Sequence, residues 1–152
     1  MDNLSAITNF IAISDQLGTS GMPTAAQLTE IAGAGYTTVV NLARDESPGA
    51  LPGEADLVRS MGMEYIHIPV VWVSPQIEEV ERFFNVMDEH KNQKVFVHCV
   101  MNYRVSAFVY LYRILRLGIT EEEAWQDLTR IWTPDGVWAE LISRFSENYI
   151  SR

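Results

Sequence analysis

Segments with apolar residues at helical spacing alternate along the chain with short runs of apolar and β-branched residues. The first pattern is typical of helices that bury one face, and the second of strands buried in a sheet. Loops rich in glycine, proline and acidic residues separate them, most clearly at 44–54. The pattern predicts helices at 24–35, 54–62, 75–91, 104–118, 121–132 and about 135–149, and strands at 36–42, 64–70 and 94–99.

Capping residues mark where two of these helices begin. Thr24 and Thr120 can each cap a helix, because Gln27 and Glu123 stand at the matching capping-box positions. Gly118 marks the end of the helix before it. That helix is apolar nearly all round, so we expect it at the centre of the fold.

The helix at 75–91 follows a serine–proline pair. Ser74 is predicted as its N-cap and Pro75 as its first residue, because proline fits the first helical turn. An apolar stripe along this helix predicts that one face packs on the sheet. The stripe consists of Ile77, Val80, Phe84 and Met87.

The alternation of strands and helices predicts an α/β fold with a mainly parallel central sheet flanked by helices on both faces. Ligands of such sheets bind beyond the carboxyl ends of the strands. Three predicted loops leave those ends: RDESP after Leu42, VVWVSP after Pro69 and HCVMNYR after Val97. We expect these loops to meet in space.

Length and charge restrict the class of protein. A chain of 152 residues suits one domain, 1–152, and no apolar run is long enough to span a bilayer. A net charge of −9 argues against general affinity for nucleic acid or anionic membranes, although it permits a small electropositive pocket. The N-terminal segment MDNLSAITNFIAIS lacks the basic start of a signal peptide, which favours a cytoplasmic location.

The segment VFVHCVMNYRVSAF holds Cys99, the single cysteine of the chain. It predicts a strand that ends at the cysteine, a short turn, and a helix that begins at the following arginine. The backbone amides of five consecutive residues can then converge on an anion, where the helix N-terminus adds positive potential. These residues are Val100, Met101, Asn102, Tyr103 and Arg104.

Cys99 and the side chains near it suit nucleophilic chemistry. The potential at the helix N-terminus favours the thiolate of Cys99 as a nucleophile. The planar guanidinium of Arg104 can bind two oxygens of a tetrahedral oxyanion. Ser106 can donate a hydrogen bond to the thiolate, and His98 can orient the loop. The structural alternatives are a buried, inert cysteine and a histidine of the core.

The order of strand, His-Cys pair, short loop, arginine and apolar helix resembles the signature of protein tyrosine and dual-specificity phosphatases. Upstream, LGTSGMPTAAQLTEIAGAGYTTVVNLARDE and GMEYIHIPV resemble a bacterial, phosphatase-like branch near those enzymes, also labelled beta-lactamase-hydrolase-like. The resemblance extends over about 17–117.

The resemblance implies a dual-specificity-phosphatase-like fold and a phosphorylated substrate. It implies that a phosphomonoester is hydrolysed through a phosphocysteine on Cys99, with Arg104 as a phosphate ligand. Neither a metal nor another cofactor is needed, since arginine and backbone amides neutralise the anion.

Two departures from the family pattern lie within the loop. The family's phosphatases place five residues between cysteine and arginine, whereas four residues separate Cys99 from Arg104. One residue fewer predicts a narrower loop, although Ser106 keeps its usual distance from the cysteine. The loop also lacks the usual glycine, so Asn102 is expected to take the positive φ that such loops need. Tyr103 is expected to form a wall of the pocket.

The third departure is the general acid. The family's phosphatases carry an aspartate before the helix that corresponds to 75–91, and it protonates the leaving oxygen. Here that stretch reads PVVWVSP, in which Trp72 is a lid or, as we favour slightly, a packing residue. The remaining candidates for the acid are Asp45, Glu46 and Asp135, of which Asp135 is better explained as a helix cap.

Two other functions stay open at this point. Rhodanese-like sulfurtransferases also place four residues between a cysteine and a following arginine, and they hold a persulfide in the smaller loop. The loop length favours that function, whereas the His-Cys pair, the missing glycine and the upstream segments disfavour it. A catalytically inactive phosphate-binding module is favoured by the missing acid and disfavoured by the presence of both Cys99 and Arg104.

Overall fold

The computed structural model describes residues 4–150, with side chains as far as Phe145. Within this range five strands form one sheet and six α-helices cover it, after a 3₁₀-helix at Leu4–Ala6. The strands are β1 (Ile11–Ser14), β2 (Leu17–Ser20), β3 (Thr38–Asn41), β4 (Glu64–His67) and β5 (Val95–His98). The helices are α1 (Ala25–Gly33), α2 (Glu54–Ser60), α3 (Ile77–Glu89), α4 (Tyr103–Leu115), α5 (Glu121–Thr129) and α6 (Gly136–Ile150).

The sheet has the order β1–β2–β5–β3–β4. Every pairing is parallel except that of β1 with β2, so the predicted α/β class and mainly parallel sheet are confirmed. The hairpin of β1 and β2 is not among the predicted elements. β2 has the sequence LGTS, so it lacks the apolar run by which the other strands are identified even though all four of its residues are buried.

β5 lies at the centre of the sheet, where all four of its residues are buried. Side chains of a strand alternate between the two faces of a sheet. Val95 and Val97 therefore enter the larger core, which α3, α4, α5 and α6 cover, whereas Phe96 enters the smaller core of α1 and α2. The same alternation directs His98 toward the side of α2.

The predicted helix caps are confirmed at two helices. The Thr24 hydroxyl accepts from the Gln27 amide at 3.1 Å, and the Gln27 side chain accepts from the Thr24 amide at 2.9 Å. The Thr120 hydroxyl accepts from the Glu123 amide at 3.2 Å. Both caps are local, which is why the sequence alone identifies them.

The predicted start of α3 is wrong. The helix begins at Ile77 with Gln76 as its cap residue, so Ser74 and Pro75 precede it. The carboxylate of Glu79 accepts a hydrogen bond from the Gln76 amide at 2.7 Å. This bond makes Gln76 the cap residue, so the helix begins at Ile77, two residues after the predicted start at Pro75. The predicted stripe does pack on the core, and Phe83 joins it there.

Between residues 4 and 150, no helix is long and apolar enough to cross a membrane.

Candidate active site

Cys99 follows the last residue of β5, at the carboxyl end of the sheet, and α4 begins four residues later. We call residues 99–104 the cysteine loop. Within the described chain, the backbone amides of residues 100–105 donate to no acceptor. Six consecutive free donors at the start of a helix form a site that suits an anion.

Three carbonyl groups of this loop are fixed from outside. The carbonyl of Cys99 lies 3.2 Å from a ring nitrogen of His98, that of Val100 accepts from the Met22 amide at 2.9 Å, and that of Met101 accepts from the Asn9 side chain at 2.9 Å. In a trans peptide the C=O and the next N–H point in opposite directions. The three anchored carbonyls therefore turn the next three amides toward the opposite side of the loop.

Asn102 adopts the predicted positive φ, at +70°, directly before α4. Its side chain is fully buried and donates to the Asn9 carbonyl at 2.8 Å and to the Thr19 hydroxyl at 3.2 Å. Asn9 in turn has a φ of +50° and binds Met101. The loop is thus tied to the β1–β2 end of the sheet through a reciprocal pair of asparagines.

Gly21 supports the loop by leaving room for it. A Cβ atom at this position would lie 2.3 Å from the carbonyl oxygen of Val100. Its amide donates to the Thr8 carbonyl at 2.7 Å, which holds the glycine against the loop. Any larger residue at position 21 has to push the loop away.

Cys99 is fully buried, and it packs within the larger core. Its amide donates to the Ser20 carbonyl at 3.3 Å, which continues the pairing of β5 with β2. Arg104 lies in the first turn of α4, with its guanidinium carbon 5.6 Å from the centre of the Trp72 ring. Its Nε atom is buried and has no partner among the described residues.

The Ser106 hydroxyl donates to the Tyr103 carbonyl at 3.0 Å and accepts from the indole N–H of Trp132 at 3.0 Å. Its single proton is therefore committed to the helix, and the structure places no hydrogen bond from it on the Cys99 sulfur. The Tyr103 ring stacks on Trp132 with centroids 5.0 Å apart.

A polar network lies behind the loop on the side of α2. The Nε2 atom of His98 lies 2.5 Å from Oε2 of Glu54, and both side chains are almost completely buried. Asn41 donates to Oε1 of Glu54 at 3.4 Å and to the Tyr65 hydroxyl at 3.1 Å. Burial raises the pKa of Tyr65 to about 12, so its hydroxyl stays protonated. Beyond these groups lies a cavity of about 480 Å³, whose lining also includes His67.

The second loop at this site comprises residues 70–76, and we call it the tryptophan loop. Trp72 contacts the rings of Tyr103, Trp132 and Trp138, with centroids 5.3–6.2 Å apart. The indole N–H of Trp138 donates to the Trp72 carbonyl at 2.8 Å. Packing is therefore the role that the structure gives Trp72, and the loop itself carries no carboxylate.

Sequence comparison matches residues 14–138 to the family described as DSP-PTPase phosphatase fused to NAD+ kinase. The chain belongs to this phosphatase family. A cysteine-based phosphatase is thereby confirmed, and the sulfurtransferase alternative is not favoured. The search of curated proteins gives no match.

Solved structures agree with this assignment. A DUF442 protein from Shewanella putrefaciens CN-32, assigned as a phosphatase, is 39% identical, with 97% of each chain covered and a TM-score of 0.87. Tk-PTP in its active form is 23% identical over 91% of this chain and 96% of its own, with a TM-score of 0.76. TpbA from P. aeruginosa, in complex with phosphotyrosine, is 18% identical over 84% and 75%, with a TM-score of 0.67. The predicted dual-specificity-phosphatase-like fold is confirmed.

The three candidate acids of this phosphatase lie on its surface. Asp45, Glu46 and Asp135 are all exposed. Glu46 pairs with Arg44 at 3.2 Å. Asp135 precedes α6, and its carbonyl accepts the Trp138 amide at 3.1 Å, so its backbone helps to start the helix.

Sequence reasoning missed three residues that shape the site: Asn9, Gly21 and Glu54. Asn9 contacts Met101 of the loop from 92 positions away, and Glu54 contacts His98, directly before the loop, from 44 positions away. No local pattern reveals such contacts. Gly21 follows a strand and precedes Met22-Pro23, which is a turn signal, but its purpose depends on Val100. Each acts on the loop through tertiary contact.

Proposed function

We propose that this phosphatase hydrolyses a phosphomonoester in two steps on Cys99. The thiolate attacks phosphorus, a P–S bond forms, and the P–O bond to the leaving group breaks. Water then attacks the phosphocysteine, which releases inorganic phosphate and restores the thiolate. Arginine and amides neutralise the phosphoryl oxygens, so the mechanism needs no metal or other cofactor.

The observation that carries the proposal is the row of free amides at residues 100–105. They begin immediately after the cysteine and end in the first turn of α4. A phosphoryl group in transfer carries its charge on equatorial oxygens, and preorganised N–H donors stabilise that charge without reorganising. Val100, Met101, Asn102 and Tyr103 contribute through their backbone.

Arg104 is the proposed charged ligand of the phosphate. Its guanidinium lies against the face of Trp72 and has no carboxylate partner within the described part of the chain. A planar guanidinium held on an aromatic ring keeps its N–H edge available for an oxyanion. The short loop brings Arg104 one position closer to Cys99 than in the family's phosphatases, and Trp72 fixes it there.

The tryptophan loop restricts the class of substrate. Without a carboxylate in residues 70–76, the leaving oxygen departs without a proton from this loop. Aryl phosphates have less basic leaving groups than alkyl phosphates and therefore depend less on that proton, and phosphotyrosine, the ligand in the TpbA structure, is an aryl phosphate. We therefore propose an aryl phosphate as substrate, acted on by a single domain, 1–152, in the cytoplasm.

The test is hydrolysis of p-nitrophenyl phosphate between acidic and neutral pH by the wild type and Cys99→Ser. We expect turnover by the wild type and a loss on the order of 1,000-fold or more in the variant, which retains the loop but has no thiolate. Circular dichroism and thermal unfolding establish that both proteins fold. Phosphate should protect Cys99 of the wild type from iodoacetamide, because the anion occupies the loop.

Each outcome decides between functions. Turnover that survives in Cys99→Ser contradicts the phosphocysteine. A folded wild type that phosphate protects but that turns nothing over is an inactive binding module. Loading of Cys99 by thiosulfate with a mass increase, together with no phosphatase activity, overturns the proposal in favour of sulfur transfer.

A further inference from the structure

His98 directly precedes the proposed nucleophile, and its side chain is completely buried. Its Nδ1 lies 3.2 Å from the Cys99 carbonyl oxygen and its Nε2 lies 2.5 Å from a carboxylate oxygen of Glu54. Both partners are hydrogen-bond acceptors, whereas a neutral imidazole has a single N–H. When Glu54 is a carboxylate, the two contacts are both hydrogen bonds only if the ring carries two protons, so the pair is then an imidazolium and a carboxylate.

Glu54 is arranged as the anion that this cation requires. Its side chain is 5% exposed, and its second oxygen accepts from Asn41 at 3.4 Å. The orientation of the Asn41 amide is fixed, because its oxygen accepts the Ala43 N–H at 2.8 Å and leaves the NH₂ group to face Glu54. As a carboxylate, Glu54 can accept from Asn41 at one oxygen and from His98 at the other, and it then neutralises the charge of a buried imidazolium.

A proton on Nδ1 of His98 also determines the orientation of one peptide in the cysteine loop. By binding the Cys99 carbonyl, His98 turns the Val100 N–H to the opposite side of that peptide. This amide is the first of the row that we propose to bind phosphate. A chain of contacts thus runs from Glu54 through His98 to the peptide that follows the nucleophile.

We propose that Glu54 is a positioning residue for Cys99. Its carboxylate keeps His98 doubly protonated, which holds the first amide of the loop toward the phosphate and places a positive charge next to the thiolate. This inference rests on the proposed function, because it takes Cys99 as the nucleophile.

Three further charged or titratable side chains line the cavity that Glu54 borders: Arg44, Asp45 and His67. On β4, Tyr65 is reached through Asn41, and it stays protonated because burial raises its pKa to about 12. On α4, Arg104 contributes a permanent positive charge. β2, which pairs with β5 on the other side, presents Thr19 and Ser20 opposite the end of β5, and neither titrates. Arg44 and Asp45 are exposed to water, and His67 binds the Ala43 carbonyl at 2.6 Å. Among the described residues, His98 is therefore the titratable side chain that is in hydrogen-bond contact with Glu54.

The first measurement is the ring ¹⁵N spectrum of His98, which distinguishes imidazolium from imidazole without any turnover. The chain has three histidines, so the variants His67→Gln and His90→Gln assign the signals. We expect imidazolium shifts in the wild type at neutral pH and neutral-imidazole shifts in Glu54→Gln. A neutral His98 in the wild type overturns the proposal, and this holds even when the variant does not fold.

The second measurement is the pH profile of Cys99 alkylation by iodoacetamide. If Glu54 acts by keeping His98 protonated, Glu54→Gln removes the positive charge near the thiolate. The midpoint of the alkylation profile then rises by about one pH unit, and alkylation at a pH below that midpoint becomes about tenfold slower. If Glu54 contributes only its negative charge, its removal favours the thiolate and lowers the midpoint. An unchanged or lower midpoint in folded Glu54→Gln overturns the proposal.

The chain offers a matched control in a second histidine–glutamate pair. Glu64 and His90 lie 3.1 Å apart at the opposite end of the sheet. Glu64→Gln should leave both the His98 spectrum and the alkylation midpoint unchanged, and an equal shift in this variant contradicts the proposal. Neither measurement depends on hydrolysis. If the wild type gives the expected His98 spectrum and alkylation midpoint but hydrolyses no phosphomonoester, the proposed function is wrong and the role of Glu54 stands.

Discussion

Two loops meet at this site and differ in what they offer a substrate. The cysteine loop, residues 99–104, presents a row of free amides, a thiol and an arginine. The tryptophan loop, residues 70–76, presents a ring that packs on three other aromatic rings and carries no carboxylate. The first loop is built to stabilise negative charge, while the second supplies no proton. The site thus combines groups that stabilise negative charge with a second loop, residues 70–76, that holds no proton donor of the carboxyl type.

The two loops are nevertheless coupled through one contact. The guanidinium of Arg104 lies over the ring of Trp72, at 5.6 Å from its centre. The backbone carbonyl of Trp72 accepts a hydrogen bond from the indole N–H of Trp138. The tryptophan loop therefore contributes an aromatic ring that packs against Arg104, and it contributes no acid.

The largest expected effect concerns the leaving group. A general acid contributes about 100- to 10,000-fold to the rate, and alkyl phosphates depend on it most. We therefore expect the ratio of p-nitrophenyl phosphate turnover to alkyl phosphate turnover to be well above the ratio for a phosphatase that has a general acid. Rates across a series of aryl phosphates should fall steeply as the leaving group becomes more basic. The pH profile of kcat should show no decrease at high pH from the deprotonation of a general acid.

The exposed carboxylates provide the control for this prediction. Asp45→Asn and Asp135→Asn should each leave the ratio of aryl to alkyl turnover unchanged. A selective loss of alkyl turnover in either variant identifies that residue as the acid and removes the difference between the two loops.

The second effect concerns the charge that the cysteine loop contributes. Arg104→Lys keeps a positive charge but loses the planar pair of donors, so we expect kcat/KM to fall on the order of 100-fold, similar to the loss of one preorganised donor. Steady-state kinetics with p-nitrophenyl phosphate measure this loss. Arg44→Lys, in an exposed pair with Glu46, is the matched control and should have no effect. Equal activity of Arg104→Lys and the wild type means that the amides alone hold the phosphate.

The contrast between the loops also indicates what sequence can predict. The positive φ of Asn102 and the caps at Thr24 and Thr120 are consequences of local chemistry, and all three are predicted. The start of α3 is not, because Glu79 competes with Pro75 for the first turn.

The groups that support the site lie far apart along the chain. Glu54 meets His98 across 44 positions and Asn9 meets Met101 across 92. Such pairs are determined by the order of strands in the sheet, which a single sequence constrains only loosely. The residues that we propose as nucleophile and phosphate ligand can therefore be selected from the sequence, whereas the residues that position them are identified only in the fold.

A smaller effect is expected from the conformation of the cysteine loop. Asn102→Ala loses two buried hydrogen bonds and places alanine at a φ of +70°, so the free energy of unfolding should fall by about 2–3 kcal/mol. Asn102→Gly loses the same bonds but tolerates the angle, so it should lose less. Urea denaturation measures both. A glycine variant that is as unstable as the alanine variant shows that the side-chain bonds, and not the backbone angle, hold the loop.

The smallest effect is expected at Trp72, and it tests the comparison most directly. Trp72 is 37% exposed, and a cation–π contact at such a site contributes about 0.5–1 kcal/mol, so Trp72→Leu should reduce kcat/KM by roughly two- to fivefold. The loss should appear mainly in KM, since the ring orients Arg104 and does not touch the leaving oxygen. Trp125→Leu, an exposed tryptophan on α5, is the control. A loss of 100-fold or more in kcat at Trp72 means that the tryptophan loop takes part in the chemistry, and that the two loops form one catalytic unit despite the missing acid.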